Sequence, residues 1–155
     1  MIDEALRAFL ERGCATIVGT TGPDGAPHAQ RGWGFCVVDG TTVRLMLDAS
    51  DPVLREHLDA CGPIAVTAAD VRTLRSVQLK GRVREVDDDP TPDDLARCEA
   101  HNDELFDDIE ATDHYPRQLT ERMVPPGYVV AVVEVAELYD QTPGPSAGAK
   151  VGDGG

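Results

Sequence analysis

Residues 75–86 alternate between apolar and polar side chains, and this alternation constrains the fold more than any other feature of the sequence. The apolar residues Val77, Leu79 and Val83 lie at odd positions. The polar residues lie at even positions, at Ser76, Gln78, Lys80, Arg82 and Arg84. A period of two is that of a β-strand with two different faces. The stretch therefore predicts a long antiparallel strand whose polar face either meets solvent or binds an anionic ligand such as a phosphate.

Turn signals divide much of the remaining chain into further strands. The segment Gly22-Pro23-Asp24-Gly25 supplies turn residues between the first two strands, which predicts a hairpin. Asp39-Gly40 is a two-residue hairpin signal between the second and third strands. The last strand is almost wholly apolar at its start, which predicts a central position in the sheet. The six predicted strands cover residues 14–21, 26–38, 42–48, 64–68, 74–86 and 128–138.

Helical spacing and capping residues predict four helical segments. The first covers residues 3–12, where Asp3 can cap the start of one apolar stripe. Asp51 followed by Pro52 is a cap with proline at the first helical position, and it begins the second helix. The remaining three predicted segments cover residues 53–61, 93–111 and 117–123.

The order of these elements predicts the fold class and the domain organisation. Six strands, mostly joined by hairpins, with helices after the third strand and before the last, predict a mainly β (α+β) protein. The expected architecture is a small antiparallel barrel with peripheral helices. Residues 1–140 form one domain in this prediction. Residues 141–155 form a tail rich in glycine and proline that we expect to be partly mobile.

The charge of the chain argues against some partners, and its apolar runs and cysteine spacing favour one compartment. Its 28 acidic residues against 14 basic ones give a net charge of −14, which argues against nucleic acid or an anionic membrane as a partner. No run of eighteen apolar residues and no signal-peptide pattern is present, so we expect a cytoplasmic protein. The four cysteines show no paired spacing, which favours reduced thiols over a disulfide framework.

The sequence lacks the common catalytic motifs, which favours cofactor chemistry over chemistry by protein side chains alone. The sequence contains no Ser/His/Asp triad order, no phosphate-binding P-loop and no dinucleotide glycine motif. Cys98, His101 and His114 have residue types that could ligate zinc. Cys98 falls on the apolar stripe of its helix, however, so we favour a core thiol with surface imidazoles and predict no metal site. Any redox chemistry would then belong to a bound cofactor.

Four stretches, taken in order, resemble the pyridoxamine-phosphate-oxidase-like family of FMN-binding split barrels. Residues 15–30 resemble the first hairpin of that family, and residues 43–58 resemble its third strand followed by a short helix. Residues 75–81 are similar to its Arg-x-Val-x-Val-x-Gly strand. Residues 139–148 resemble the tail of one uncharacterised branch. The resemblance implies a six-stranded split barrel that forms a homodimer with two flavins at the subunit interface.

The resemblance also implies which residues bind the cofactor. The flavin phosphate is expected near Ser50 and Arg55, because the lysine of the family falls near Val53 or Leu54 here and Arg55 is the nearest base. On the fifth strand, the expected phosphate contacts are Ser76, Gln78 and Lys80. On the second strand, the residues expected along the flavin ring are Gln30, Arg31, Gly32 and Trp33.

Three functions remain open from the sequence. The first is an FMN- or deazaflavin-dependent oxidoreductase that acts on a small organic substrate. The second is a carrier or sensor that binds a flavin, a deazaflavin or haem without turnover, with His28 and His57 as possible axial haem ligands. The third is a barrel dimer without a cofactor. In all three, we expect the dimer to form through the face that carries the second, third and fifth strands.

Overall fold

Six antiparallel strands close into a barrel in a computed structural model, which describes residues 1–152. The order around the barrel is β1, β2, β3, β6, β5, β4, and β4 pairs with β1 to close it. The predicted six-stranded antiparallel barrel with peripheral helices is therefore confirmed. The strands are β1 (Ala15–Thr21), β2 (Pro27–Val37), β3 (Thr42–Asp48), β4 (Pro63–Ala69), β5 (Ser76–Asp87) and β6 (Tyr128–Asp140).

The helices lie where capping residues predicted them, with small differences at their ends. Asp3 caps the first helix by accepting a hydrogen bond from the backbone N of Leu6 at 2.8 Å. Asp51 caps the second helix, and Pro52 occupies its first turn. The last predicted segment divides into an α-helical turn and a 3₁₀ turn over Glu121–Met123. The helices are α1 (Glu4–Leu10), α2 (Pro52–Asp59), α3 (Pro92–Asp113) and α4 (Arg117–Thr120).

Strand β5 begins two residues later than predicted, at Ser76 instead of Leu74. Leu74 has a positive φ of 62°, and its backbone N donates to the carbonyl oxygen of Asp70 at 2.8 Å. These features form a tight turn between β4 and β5, so Leu74 and Arg75 lie outside the strand. The alternation that predicted the strand is confirmed, because Val77, Leu79 and Val83 are buried.

Two separate hydrophobic clusters stabilise the fold. The larger one fills the barrel, with inward-facing side chains such as Val66, Leu79 and Val133 at 0 to 1% exposure. The smaller one lies between the outside of the sheet and α3. It comprises Trp33, Met46, Cys98, Leu105, Phe106 and Val130. Helix α3 therefore covers the outer surface of β2 and β3.

An ion pair and a capping box fix the start of α3 against the barrel. The Thr91 hydroxyl accepts a hydrogen bond from the backbone N of Asp94, and the Asp94 carboxylate accepts one in return from the backbone N of Thr91. Arg44 on β3 places Nη2 at 2.7 Å from Oδ2 of Asp94. Burial raises the pKa of Asp94, but the Arg44 guanidinium and the hydrogen bonds from Thr91 lower it by more than burial raises it. The pKa of Asp94 therefore lies below its usual value. The buried carboxylate therefore remains charged and paired.

The described part of the tail folds back onto the end of the barrel. The backbone N of Gly148 donates to the carbonyl oxygen of Asp140 at 2.6 Å, and Tyr139 forms an isolated bridge with Lys150. The Thr142 hydroxyl accepts a hydrogen bond from the backbone N of Ser76 at 3.1 Å. The expectation that part of the tail at 141–155 is mobile stays a prediction, and residues 153–155 lie outside the described residues.

Candidate functional site

One outer surface of the barrel is left uncovered by the helices, and we call it the open face. Its residues project outward from β1, β2, β4 and β5 in register. Gly19 lies between Ala29 and Ala65, and Ala65 pairs with Lys80. The neighbouring row contains Arg31, Ile17, Thr67 and Gln78. The open face is thus defined by Ile17, Gly19, Ala29, Arg31, Ala65, Thr67, Gln78 and Lys80.

The open face differs from the face that the sequence predicted for dimer contacts. Met46 projects outward from β3 but packs into the smaller hydrophobic cluster beneath α3. Strand β5 is separated from β2 by β1 and β4, or by β3 and β6. The dimer face predicted over the second, third and fifth strands is thus partly covered by α3, and its role in a dimer stays a prediction. The open face carries β1, β2, β4 and β5.

A groove of about 560 Å³ lies on the open face. Its floor consists of small residues, among them Gly19, Ala29, Ala65 and Gly81, and Lys80 and His28 contribute the polar groups. A Cβ atom added to Gly19 would meet no atom within 4 Å. Because the floor is nearly bare backbone, a flat ligand can approach it closely.

On β5, the three predicted phosphate contacts differ in how available they are. The Ser76 hydroxyl is buried and donates to the carbonyl oxygen of Leu74 at 3.1 Å. Gln78 Nε2 donates to the Thr67 hydroxyl at 2.9 Å. The Lys80 ammonium lies 4.5 Å from the centre of the Tyr139 ring and forms no ion pair within the described residues. Lys80 is therefore available at the open face, and Gln78 keeps one amide N–H beyond its bond to Thr67, whereas Ser76 is buried with a backbone partner.

The predicted contacts from the α2 turn are engaged with carboxylates. Ser50 donates from its hydroxyl to Oδ1 of Asp48 at 2.6 Å. Arg55 places Nε at 2.8 Å from Oδ1 of Asp59 and also pairs with Asp88. These acids surround the position expected for a phosphate and repel an anion there. Arg55 and Ser50 remain predicted cofactor residues, with competing partners in this chain.

On β2, the four predicted ring contacts face two different environments. Gln30 donates from Nε2 to Oδ2 of Asp51 at 3.1 Å. The Arg31 side chain projects from the open face and is exposed. Gly32 faces the interior, where an added Cβ would lie 2.7 Å from Cγ2 of Thr16. Trp33 is 3% exposed and packs beneath α3. Of this group, Arg31 is the residue whose side chain reaches the open face.

The structure also brings together two histidines and two partners that the sequence analysis did not connect. His28 Nε2 lies 2.6 Å from Oδ2 of Asp51, and His57 Nδ1 lies 2.9 Å from the Thr20 hydroxyl. The two imidazole rings are edge to face, with centres 6.1 Å apart. Thr20 and His57 are 37 positions apart in the chain, so local sequence spacing gave no signal for this contact.

Electrostatics define the state of the carboxylate in this polar cluster. Burial raises the pKa of Asp51, but hydrogen bonds from the Leu54 backbone and from His28 lower it below its usual value. The ionised carboxylate is therefore an acceptor for a hydrogen bond from His28 Nε2. Because His28 lines the groove, this arrangement can hold a proton next to a bound ligand.

The zinc ligands considered from the sequence are not assembled. Cys98 is buried on α3 as predicted, but the prediction of a surface imidazole is wrong for His101, which is buried on the same helix. His114 is exposed and follows the end of that helix. Over residues 1–152, no group of three or more His, Cys, Asp and Glu side chains is placed to hold a metal ion.

In the same residues, none of the helices combines the length and the apolar composition needed to cross a membrane.

Solved structures share this fold at low sequence identity. An F420 reductase is 22% identical over 88% of this chain and 97% of its own, with a TM-score of 0.57. HupZ of Group A Streptococcus is 16% identical over 96% of this chain and 100% of its own, with a TM-score of 0.58. A conserved hypothetical protein of Mycobacterium tuberculosis is 21% identical over 90% of this chain and 84% of its own, with a TM-score of 0.52.

The family comparison covers almost the whole barrel. A comparison with functionally curated proteins gives no match. The family model of pyridoxamine 5'-phosphate oxidase matches residues 2–142, from the start of the chain through β6 to the first residues of the tail. The order of strands, the capped α2 helix and the open face all lie within this match. The chain therefore belongs to the pyridoxamine 5'-phosphate oxidase family.

Proposed function

We propose that this protein binds FMN on the open face and acts as an oxidoreductase on a small organic substrate. Proteins of this family typically bind a flavin, as FMN or as the deazaflavin F420. We further infer a cytoplasmic homodimer that covers the open face, so that the cofactor lies between two copies. The four free cysteines support a reducing compartment.

The groove on the open face is the observation that carries this proposal. Its volume of about 560 Å³ falls in the range of about 300–1,000 Å³ that is usual for cofactor and small-molecule sites. Its floor of Gly19, Ala29 and Ala65 presents backbone and methyl groups to a ligand. Such a floor suits the flat face of an isoalloxazine ring, which packs against apolar surface.

The residues that would hold the flavin phosphate fit it less completely than the groove floor fits the ring. Gln78 and Lys80 offer an amide and an ammonium on the face that holds the groove. Ser50 and Arg55 lie among Asp48, Asp59 and Asp88, which disfavour a dianion. We therefore infer that Lys80 and Gln78 contribute more to phosphate binding than Ser50 and Arg55.

A bound flavin would supply the electron and hydride transfer, as cofactors do in such enzymes. The chain itself would bind the ring on the groove floor, exclude water by dimer formation and orient the phosphate through Lys80. His28 would hold or accept a proton at Nδ1 beside the groove, with Asp51 fixing its ring through Nε2. These roles are the ones that a redox reaction on a small substrate requires of the protein.

A binding protein without flavin chemistry is the second candidate, and the ion pairs of Arg55 favour it. The base nearest to the family's phosphate lysine is held by two aspartates, so a phosphate must compete with both of them. Haem binding through Nε2 would require His28 to release Asp51. The contact of His57 with Thr20 is made through Nδ1, so it leaves Nε2 of that ring outside this hydrogen bond. The absorption spectrum distinguishes these cases, because flavin, deazaflavin and haem absorb at different visible wavelengths.

The proposal is tested by titrating the protein with FMN and following quenching of flavin fluorescence. We expect Gln78→Leu and Lys80→Ala each to weaken binding by about ten- to a hundredfold, since charge-assisted contacts to phosphate are lost. Arg55→Ala is the matched control, and we expect a change of less than about threefold. Wild-type protein without measurable affinity for any flavin would reject the proposal in favour of the second candidate.

A further inference from the structure

Two arginines of this acidic chain line the same cavity and have no partner among residues 1–152. Seven arginines pair with carboxylates within the described residues, as expected when acids outnumber bases two to one. The guanidinium groups of Arg31 and Arg122 make neither a hydrogen bond nor an ion pair with any residue between 1 and 152. Both line a cavity of about 490 Å³ between β2 and the segment after α3.

The rest of the cavity is largely apolar. Ile109 from α3 and Leu119 from α4 contribute aliphatic side chains to its lining. Tyr115, in the link between these helices, adds an aromatic ring. Leu119 is 47% exposed and Tyr115 is 54% exposed, which is unusual for such large apolar groups placed side by side. The cavity therefore offers an apolar wall for the body of a ligand and two cations for an anionic end.

The charges in the cavity indicate which anion fits. Arg31 and Arg122 contribute two positive charges, and Asp113, also in the lining, contributes one negative charge. Asp113 lies beyond ion-pair distance of both arginines, since no such pair is formed among the described residues. The net charge of the lining is thus +1, which a single carboxylate neutralises. A phosphate dianion would leave one negative charge unbalanced beside Asp113.

We propose that this cavity binds an organic acid, a small molecule with one carboxylate and an apolar, preferably aromatic, body. The two guanidinium groups bind the carboxylate, with the planar geometry that favours such pairs. Ile109, Leu119 and Tyr115 pack against the body of the ligand. The proposal stands on the residues of the cavity. Because Arg31 also belongs to the open face, the cavity is tested without added flavin.

The test is a calorimetric titration of the purified protein with 4-phenylbutyrate, without added flavin. Fluorescence of Trp33, the single tryptophan, gives a second readout because it lies two residues from Arg31 on the same side of β2. We expect saturable binding with a Kd of about 1 mM or below. Arg31→Gln and Arg122→Gln should each weaken it by about tenfold.

The controls separate this site from general attraction between an anion and an arginine. Arg97 also lacks an ion pair within the described residues, but it lines a different small cavity beside Cys36, so Arg97→Gln should bind like the wild type. The neutral analogue 4-phenylbutan-1-ol and the dianion 4-phenylbutyl phosphate should both bind more weakly than the carboxylate. The proposal is overturned if 4-phenylbutyrate does not bind, if all three variants behave alike, or if the alcohol or the phosphate binds as tightly.

Discussion

His28 Nε2 lies 2.6 Å from Oδ2 of Asp51, and the other oxygen of the same carboxylate caps α2. One side chain therefore links β2 to the start of α2 at the end of the barrel that holds the groove. Gln30 donates to the same Oδ2, so two side chains of β2 and the start of α2 all depend on Asp51.

Replacing Asp51 by alanine should destabilise the protein by about 2 kcal/mol, because both a helix cap and a partly buried acceptor are lost. Urea unfolding measures this change. Asp51→Ser keeps a capping oxygen but not the contact with His28. Its free energy of unfolding should therefore lie between those of wild type and Asp51→Ala. Equal stability of Asp51→Ala and wild type would show that the carboxylate is not the link described above.

The stabilising effect of Asp51 should also depend on pH. The pKa of Asp51 in the folded protein is lowered, so its contribution is complete above the unfolded value of about 3.9 and is lost as the pH falls through the folded value. The difference in unfolding free energy between wild type and Asp51→Ala should therefore shrink in acid. A difference that stays constant from neutral pH down to about pH 3 would contradict this assignment.

Gly81→Ala should destabilise the barrel by about 3 kcal/mol or more, because its Cβ would collide with the carbonyl oxygen of Glu134 on β6. Gly81 lies at a register shift between β5 and β6, where the strands approach closely. Gly19→Ala is the matched control on β1, since an added Cβ there meets nothing within 4 Å. We expect it to change stability by less than about 0.5 kcal/mol. Thermal unfolding of both variants makes the comparison.

His101→Leu should make stability less dependent on pH. His101 is 3% exposed, and neither ring nitrogen has a hydrogen-bond partner among residues 1–152. Burial lowers its pKa, although the nearby backbone of Arg12 and Cys14 and the Glu104 carboxylate act in the opposite direction. The stability that depends on neutral His101 is present above its unfolded pKa of about 6.5 and falls as the pH drops toward the folded value.

Unfolding at about pH 7.5 and at about pH 5.5 tests this prediction. Wild type should lose stability between these conditions, and His101→Leu should lose less. The variant should also be more stable than wild type at the lower pH, because no buried imidazole has to be protonated or left unpaired. An identical pH dependence in both proteins would assign the effect to other groups.

Local sequence signals predicted the strands and helices of the barrel well, because the start and the periodicity of each element depend on residues close together in the chain. The alternation around Val77 and Leu79 identified β5, and the Asp51-Pro52 cap identified the start of α2. The site depended on contacts between distant segments, which such signals do not contain. The pairing of Arg55 with Asp88 spans 33 positions, and the covering of Trp33 by α3 spans more. Both changed which predicted residues are available to a ligand.

The central claim is that the groove on the open face binds a flavin, and a titration of wild type and Gly19→Leu with FMN tests it most directly. The leucine side chain would fill the groove floor without meeting protein atoms near its Cβ, so circular dichroism should show an unchanged fold. We predict that wild type quenches flavin fluorescence saturably and that Gly19→Leu weakens binding by about tenfold or more. Equal affinity of the two proteins, or no binding by wild type, would contradict the claim.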